Sequence, residues 1–297
     1  MLQEIQVTPL DGARLYALVG AARSADFETA AARARATLGG RAVVNVNSTA
    51  SGGGVAELLQ TLLAYARGAG VDTRWLVIDG DPNFFTITKR IHNHLYGTPG
   101  DGYPLDETAR THYESILAPN AAALSEAIAP DDVVLLHDPQ TAALVPHLRR
   151  AGTKVVWRCH VGSDTSNDFT DRAWSFLRPY LEFADAFVFT RADFAPDWMD
   201  RDRLHVITPS IDPFSAKNAE FDADTARAIL THVGLFEDSG GTGSFEFAYT
   251  GGRPGRVSGC IDTLGTGRPP ADRPLVTQLS RWDTQKDMIG VLRAFAR

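Results

Sequence analysis

Six short runs of β-branched and other apolar residues recur along the chain, at 42–46, 74–78, 133–136, 154–157, 186–189 and 204–207. Continuous apolar runs of this length suit strands that are covered on both faces in a parallel sheet. Between them, apolar positions repeat with helical period at about 54–67, 82–96, 108–128, 140–150 and 168–183, and several of these segments stop at Gly or Pro. An Ala- and Arg-rich helix at about 26–38, closed by Gly39 and Gly40, precedes the first strand. Repeated βα units of this kind predict an α/β fold with a doubly wound parallel sheet.

The pattern dissolves from 236 to 271, where nine glycines and three prolines occupy a stretch too long for an ordinary connection. A linker or insertion is expected there. An apolar strand at 275–279 and a helix from about 287 to 297 come next. One strand and one helix cannot bury a sheet face alone, so this tail reads as the opening βα unit of a second, incomplete domain. The expected division is 1–235, 236–271 and 272–297.

Composition narrows the function. Of 297 residues, 44% are hydrophobic and 22% charged, the balance of a packed interior. With 29 basic against 36 acidic residues, a formal charge of -7 and no Lys/Arg block, nucleic acid is not an expected partner. Cys159 and Cys260 have no metal-ligand spacing, which argues against a disulfide scaffold or a zinc site and for a reducing compartment. The chain opens without a basic and apolar leader, and nowhere do about 18 apolar residues run together. The expected location is cytoplasmic, with no membrane partner.

Candidate chemistry gathers at strand ends, where ligands bind in open α/β sheets. Ser51, Gly52, Gly53 and Gly54 turn the chain from the first strand into a helix, exposing N–H groups suited to an anion or a sugar hydroxyl. Glu57 stands where the dinucleotide fingerprint needs its third glycine, and no Gly-Lys-Ser/Thr follows. A plain tight turn remains the alternative. His137, Asp138, Pro139 and Gln140 follow the third strand, and Arg158 to Asp164 follow the fourth. Each residue taken singly has a structural reading, since a strand-end Asp caps helices and a His serves as a core donor. Asp79 to Phe85, with Lys89, His92, Asn93 and His94, form a polar and aromatic lip. His92 and His94 point apart on a helix and lack completing ligands, so no metal is expected.

Taken together, the strings Asn45-Val46-Asn47-Ser48 leading into Gly52-Gly53-Gly54-Val55-Ala56-Glu57, Phe84-Phe85 with Thr88-Lys89 and His92-Asn93, His137-Asp138-Pro139-Gln140, Trp157-Arg158-Cys159-His160-Val161-Gly162 and Pro209-Ser210-Ile211-Asp212-Pro213 resemble the trehalose synthases. These are retaining glycosyltransferases of family four. The likeness resumes at Gln278 to Asp283 and at Lys286-Asp287.

The resemblance implies the GT-B arrangement of two facing Rossmann-like domains, the first taking the acceptor sugar and the second most of the donor. It implies transfer of glucose from a nucleoside-diphosphate glucose to glucose, with retention, giving trehalose, and no resident cofactor or metal. Under it His160 and Asp138 are the catalytic candidates. Gly53, Gly54, Arg281 and Lys286 meet the donor diphosphate, and Gln140, Arg158, Asp164, Lys89 and Asn93 hold the acceptor sugar. The family's paired glutamates, eight positions apart, have no counterpart here, so this chain alone is expected to be inactive. A retaining trehalose phosphorylase and a non-catalytic sugar-binding or interaction remnant are the alternatives. The donor base and self-association into a homodimer stay open.

Overall fold

The computed structural model describes residues 2–215, 218, 222–237, 245–248, 254–257, 259–262, 264–265, 267–282 and 286–297. Two compact units divide the chain, Met1–Asp212 and Pro213–Arg297. The first contains β1 (Gln3–Glu4), α1 (Ala13–Leu38), β2 (Val43–Asn47), α2 (Gly54–Gly68), β3 (Thr73–Val77), α3 (Pro82–Leu95), α4 (Glu107–Ala127), β4 (Val133–His137), α5 (Leu144–Arg150), β5 (Lys154–Cys159), α6 (Asp168–Leu181), β6 (Ala186–Phe189) and β7 (Leu204–Val206).

These strands form one seven-stranded sheet in the order β1-β3-β2-β4-β5-β6-β7. Only β1 is antiparallel to its neighbour, β3; the other pairs are parallel. The chain steps outward from β2 to β3, then returns past β2 to β4. The crevice beyond the carboxyl ends of β2 and β4 is therefore the switch point at which open α/β sheets take ligands.

Alternation along the strands feeds two cores. Val44, Val46, Leu76, Val134, Leu136, Val155, Trp157 and Phe187 join residues of α3, α4, α5 and α6, among them Phe84, Tyr113, Leu148 and Leu177. Trp75 and Val77 project to the other face and meet Ala56, Leu59 and Leu63 of α2. The helices begin where sequence caps them: Asp81 accepts from Phe84 N ahead of Pro82, Asp106 accepts from Ala109 N, and Asn167 forms a capping box with Thr170.

The α/β class and all six sequence-predicted strands of this unit hold within a residue or two at their ends. The expected helix at 140–150 divides into a 3-10 turn, Pro139–Thr141, and α5. The Ala- and Arg-rich helix starts at Ala13 rather than near 26 and breaks at Gly20, whose φ is 82°. Among its residues only Ala31 is buried, because alternating Ala and Arg offer no continuous apolar stripe.

The second unit contains α7 (Ala223–His232), the antiparallel pair β8 (Phe245–Ala248) and β9 (Pro254–Val257), and α8 (Met288–Phe295). The β8–β9 pair falls inside the stretch expected as a linker, whose residues 238–244, 249–253, 258, 263 and 266 lie outside the described ones. The helix expected from about 287 is α8. The strand expected at 275–279 does not form. Leu275, Val276 and Leu279 are 41%, 69% and 99% exposed, and no described strand pairs with them. An apolar run becomes a strand only where a neighbour completes its ladder. Among the described residues, no helix is long and apolar enough to cross a membrane.

Candidate functional site

The carboxyl ends of β2, β4 and β5 carry a row of buried polar side chains. Asn45 pairs in register with Leu135, and His137 with Arg158, so Asn45, His137 and Arg158 project from one face of the sheet. All three are buried. His137 Nε2 lies 3.1 Å from Asn45 Oδ1, and its Nδ1 lies 3.2 Å from Nε2 of His160, the residue after β5. The two imidazoles meet edge to edge, with centroids 5.5 Å apart and planes 16° from parallel, as a hydrogen bond between ring nitrogens requires. Burial, then the nearby His160 and Arg158, hold His137 well below the ordinary histidine range. His160 is lowered to about 4, by burial first and Arg158 second. Both rings are neutral at physiological pH.

Asp138 takes a backbone conformation unusual for a residue with a side chain, φ 63° and ψ 176°. Its surroundings hold it there. Its N–H donates to the Arg158 carbonyl at 2.8 Å, and its own carbonyl accepts from Trp157 Nε1 at 3.2 Å and from Thr141 Oγ1 at 3.1 Å. Next along the chain, the Pro139 carbonyl accepts from Tyr113 Oη of α4 at 2.6 Å. The Asp138 carboxylate accepts the His160 backbone N–H at 2.8 Å, tying the β4 end to the β5 end. Desolvation pushes its pKa up to about 6, against the lowering effects of that N–H and of Arg158. Arg158 is 6% exposed, and its guanidinium makes no hydrogen bond or ion pair with another described residue. Burial lowers its pKa while Asp138 raises it.

Across the switch point, the β2–α2 turn is shaped by Gly52 and Gly53, with φ of 74° and 106°. A Cβ at either position would meet nothing within 4 Å, so backbone conformation, not space, requires glycine. Gly53 is the N-cap of α2 and brings no side-chain cap to its amides. The turn is anchored from below, since Trp75 Nε1 donates to Asn47 Oδ1 and Asn47 Nδ2 donates to the Thr49 carbonyl, both at 2.8 Å.

Other sequence candidates fall elsewhere. Gln140 is partly buried on the 3-10 turn beside Asp138, and α3 packs against that turn. Lys89 and Asn93 line a cavity of about 340 Å³ with Phe85, Thr86, Arg90 and Asp101, none of which belongs to the buried row. Arg90 closes one wall by a bidentate pair with Asp101, at 2.7 and 2.9 Å. Asp164 is paired at 3.3 Å with Arg191 beyond β6, both half exposed. Gly162 is fixed by space: a Cβ there would lie 2.2 Å from Phe194 Cγ. Arg281 and Lys286 belong to the second unit and are exposed, and residues 283–285 between them lie outside the described ones. His137 stood in a strand-end cluster and Asn45 in a string that carries the resemblance, but neither was given a role from sequence. The signal was present, because an Asn inside an otherwise apolar, doubly covered strand needs a partner to be tolerated.

A mostly parallel α/β sheet with polar groups gathered at its switch point is a domain of the Rossmann-like kind. The chain belongs to the trehalose synthase N-terminal domain family, whose model matches residues 45–196. The trehalose synthase of Rubrobacter xylanophilus is 33% identical over 261 residues, covering 87% of this chain and 53% of that protein. A trehalose phosphorylase from Pleurotus sajor-caju is 28% identical over 191 residues, covering 59% of this chain and 25% of its own length. The chain thus spans about half the length of the trehalose synthase it matches and a quarter of the phosphorylase. A solved structure titled "Trehalose-6-phosphate synthase. OtsA" superposes over 66% of this chain and 56% of its own, with a TM-score of 0.49 and 15% identity.

Proposed function

We propose that the first unit is the acceptor half of a glucosyltransferase that makes trehalose from a nucleoside-diphosphate glucose and glucose, with retention. The observation that carries the reading is the buried polar row at the switch point, in a chain of the trehalose synthase family. A sugar presents hydroxyls that both donate and accept, and the row answers with a neutral imidazole, a carboxyl and an unpaired guanidinium. Because the imidazole and the carboxyl are held by hydrogen bonds before any ligand arrives, little reorganisation of them is needed on binding.

In this reading a retaining front-face transfer asks little nucleophilic chemistry of the protein. The departing diphosphate takes the acceptor proton, while the chain orients both sugars and stabilises developing charge. His160 meets the donor glucose, Asp138, Gln140 and Arg158 hold the acceptor, and the α2 amides at Gly53 and Gly54 face the diphosphate. The functional division carries the acceptor domain past the end of the first unit to 235, with a linker at 236–271 and the start of a donor domain from 272 in the GT-B arrangement. Arg281 and Lys286 supply charge-assisted contacts to the diphosphate.

The likeness to trehalose phosphorylase favours a second reading, with phosphate as co-substrate and trehalose as the sugar. Calorimetric titration of the chain separates the two. Saturable glucose binding that is lost in Arg158→Ala and strengthened by a nucleoside diphosphate is the expected result. Enhancement by inorganic phosphate alone would favour the phosphorylase. Absence of saturable binding of either sugar would overturn both readings.

A further inference from the structure

We infer that Asn45 and His137 are positioning residues that lock His160 in a single neutral tautomer, with Nε2–H turned toward His137 and the Nδ1 lone pair left to accept from a sugar hydroxyl. The inference rests on the proposed sugar site for its ligand, but its geometry stands without one.

The proton order follows from the far end of the chain of contacts. The amide of Asn45 is 2% exposed, with Nδ2 lying 3.5 Å from the Val43 carbonyl and Oδ1 3.1 Å from His137 Nε2. Turning the amide over would set Oδ1 against that carbonyl, acceptor against acceptor. Oδ1 therefore faces His137, and His137 Nε2 carries the hydrogen that it accepts. A neutral imidazole has one N–H, so His137 Nδ1 is an acceptor. The group 3.2 Å from it is His160 Nε2, which must then be the donor. That leaves Nδ1 of His160 without a hydrogen and without a partner among the described residues.

A proton on both nitrogens of His137 would reverse the second contact. Burial and the adjacent Arg158 oppose that proton. The near-parallel rings, 16° apart, meet edge to edge, so turning the His160 ring away would give up its 3.2 Å contact with His137. Second-partner contacts of this kind, which fix the tautomer of the group that meets the ligand, are the usual means of making a histidine one-sided.

A one-sided His160 has a consequence for recognition. It accepts from a hydroxyl and gives nothing back, so deoxy and deoxyfluoro sugars altered at the contacted position should bind equally poorly. A donating His160 would spare the fluoro analogue in part.

The test uses the full chain with 15N-labelled histidine and no ligand, reading each ring by its two nitrogen shifts and the carbon-bound protons that couple to them. His160, assigned by its absence in His160→Gln, should show the neutral Nε2–H pattern. Asn45→Asp, whose carboxylate favours a proton on both nitrogens of His137, should turn it toward the Nδ1–H pattern, and Asn45→Leu should turn it into a mixture of tautomers while the amide spectrum stays folded. A neutral Nδ1–H pattern in the unaltered chain would overturn the inference, as would a folded Asn45→Leu form with His160 unchanged. Should Asn45→Leu fail to fold, the unaltered chain and Asn45→Asp still decide. Failure to bind glucose would count against the proposed function and leave this result untouched.

Discussion

Two apolar runs in this chain look alike in sequence and end differently in structure. Val133–His137 is laddered on both sides, to β2 and β5, with Val134 and Leu136 fully buried. Among the described residues the run at 275–279 has no ladder, and Leu279 and Trp282 are almost fully exposed. The polar groups follow the same division. Asn45 and His137 are buried and hydrogen-bonded to neighbours and Arg158 is buried beside them, whereas Arg281 and Lys286 stand on exposed chain. A strand, and the chemistry at its end, belongs to the sheet that receives it more than to the run of residues itself.

The contrast can be broken most forcefully at tryptophan. Trp157 is fully buried against Trp174 and Phe189 and donates to the Asp138 carbonyl. Trp157→Ala should cost about 3–5 kcal/mol in urea unfolding, the range for a large aromatic removed from a core. Trp282, 93% exposed, sets the other limit. A smaller loss is expected at the β5 end, where Gly162→Ala must push Phe194 aside from 2.2 Å and should cost about 1–3 kcal/mol.

The pH dependence of stability sharpens the comparison, because opposed titrations are expected only in the first unit's buried row. Asp138, held near 6, keeps its proton longer in the folded state than in the unfolded chain. Its contribution is therefore full below pH ~3.9 and is lost as pH rises toward 6. His160, held near 4, works the other way. The unfolded imidazole is protonated below pH ~6.5, so this contribution grows as pH rises from 4 to 6.5. Asp138→Asn keeps an acceptor for the His160 N–H and removes only the first effect. On going from pH 4 to pH 7 the variant should gain about 1–2 kcal/mol over the parent, with allowance for the carboxyl's partial exposure. Parallel pH profiles would show that Asp138 is not desolvated. The smallest effect is expected for Trp282→Ala, within about 0.5 kcal/mol of the parent. A loss there comparable to that of Trp157→Ala would mean that the second unit buries what the structure leaves exposed.

Much of the first unit was legible because parallel strands buried on both faces write themselves as apolar runs, and because Asp81, Asp106 and Asn167 mark helix starts chemically. The strand-end rule likewise brought His160, Asp138 and Arg158 together from separate stretches of sequence. Other features depended on contacts distant in sequence. The run at 275–279 had the right residues and no neighbour, and Gly20 ends one helix and starts another through a positive φ that its surroundings do not announce. Asp164 is paired with Arg191, which reaches it from beyond the next strand. Lys89 and Asn93 were read into the same pocket as His160, yet they line a cavity built by α3 and the Asp101 segment. The buried row itself left a trace in Asn45 and His137, polar residues where a doubly covered strand would otherwise be apolar.

The most direct test of the strand-end site is a crystal structure of the chain with glucose. The sugar is expected beyond the ends of β2, β4 and β5, with one hydroxyl within hydrogen-bond distance of the Asp138 carboxyl and another reached by Arg158. Glucose seated instead in the Lys89 and Asn93 cavity, with the strand-end row unoccupied, would contradict it.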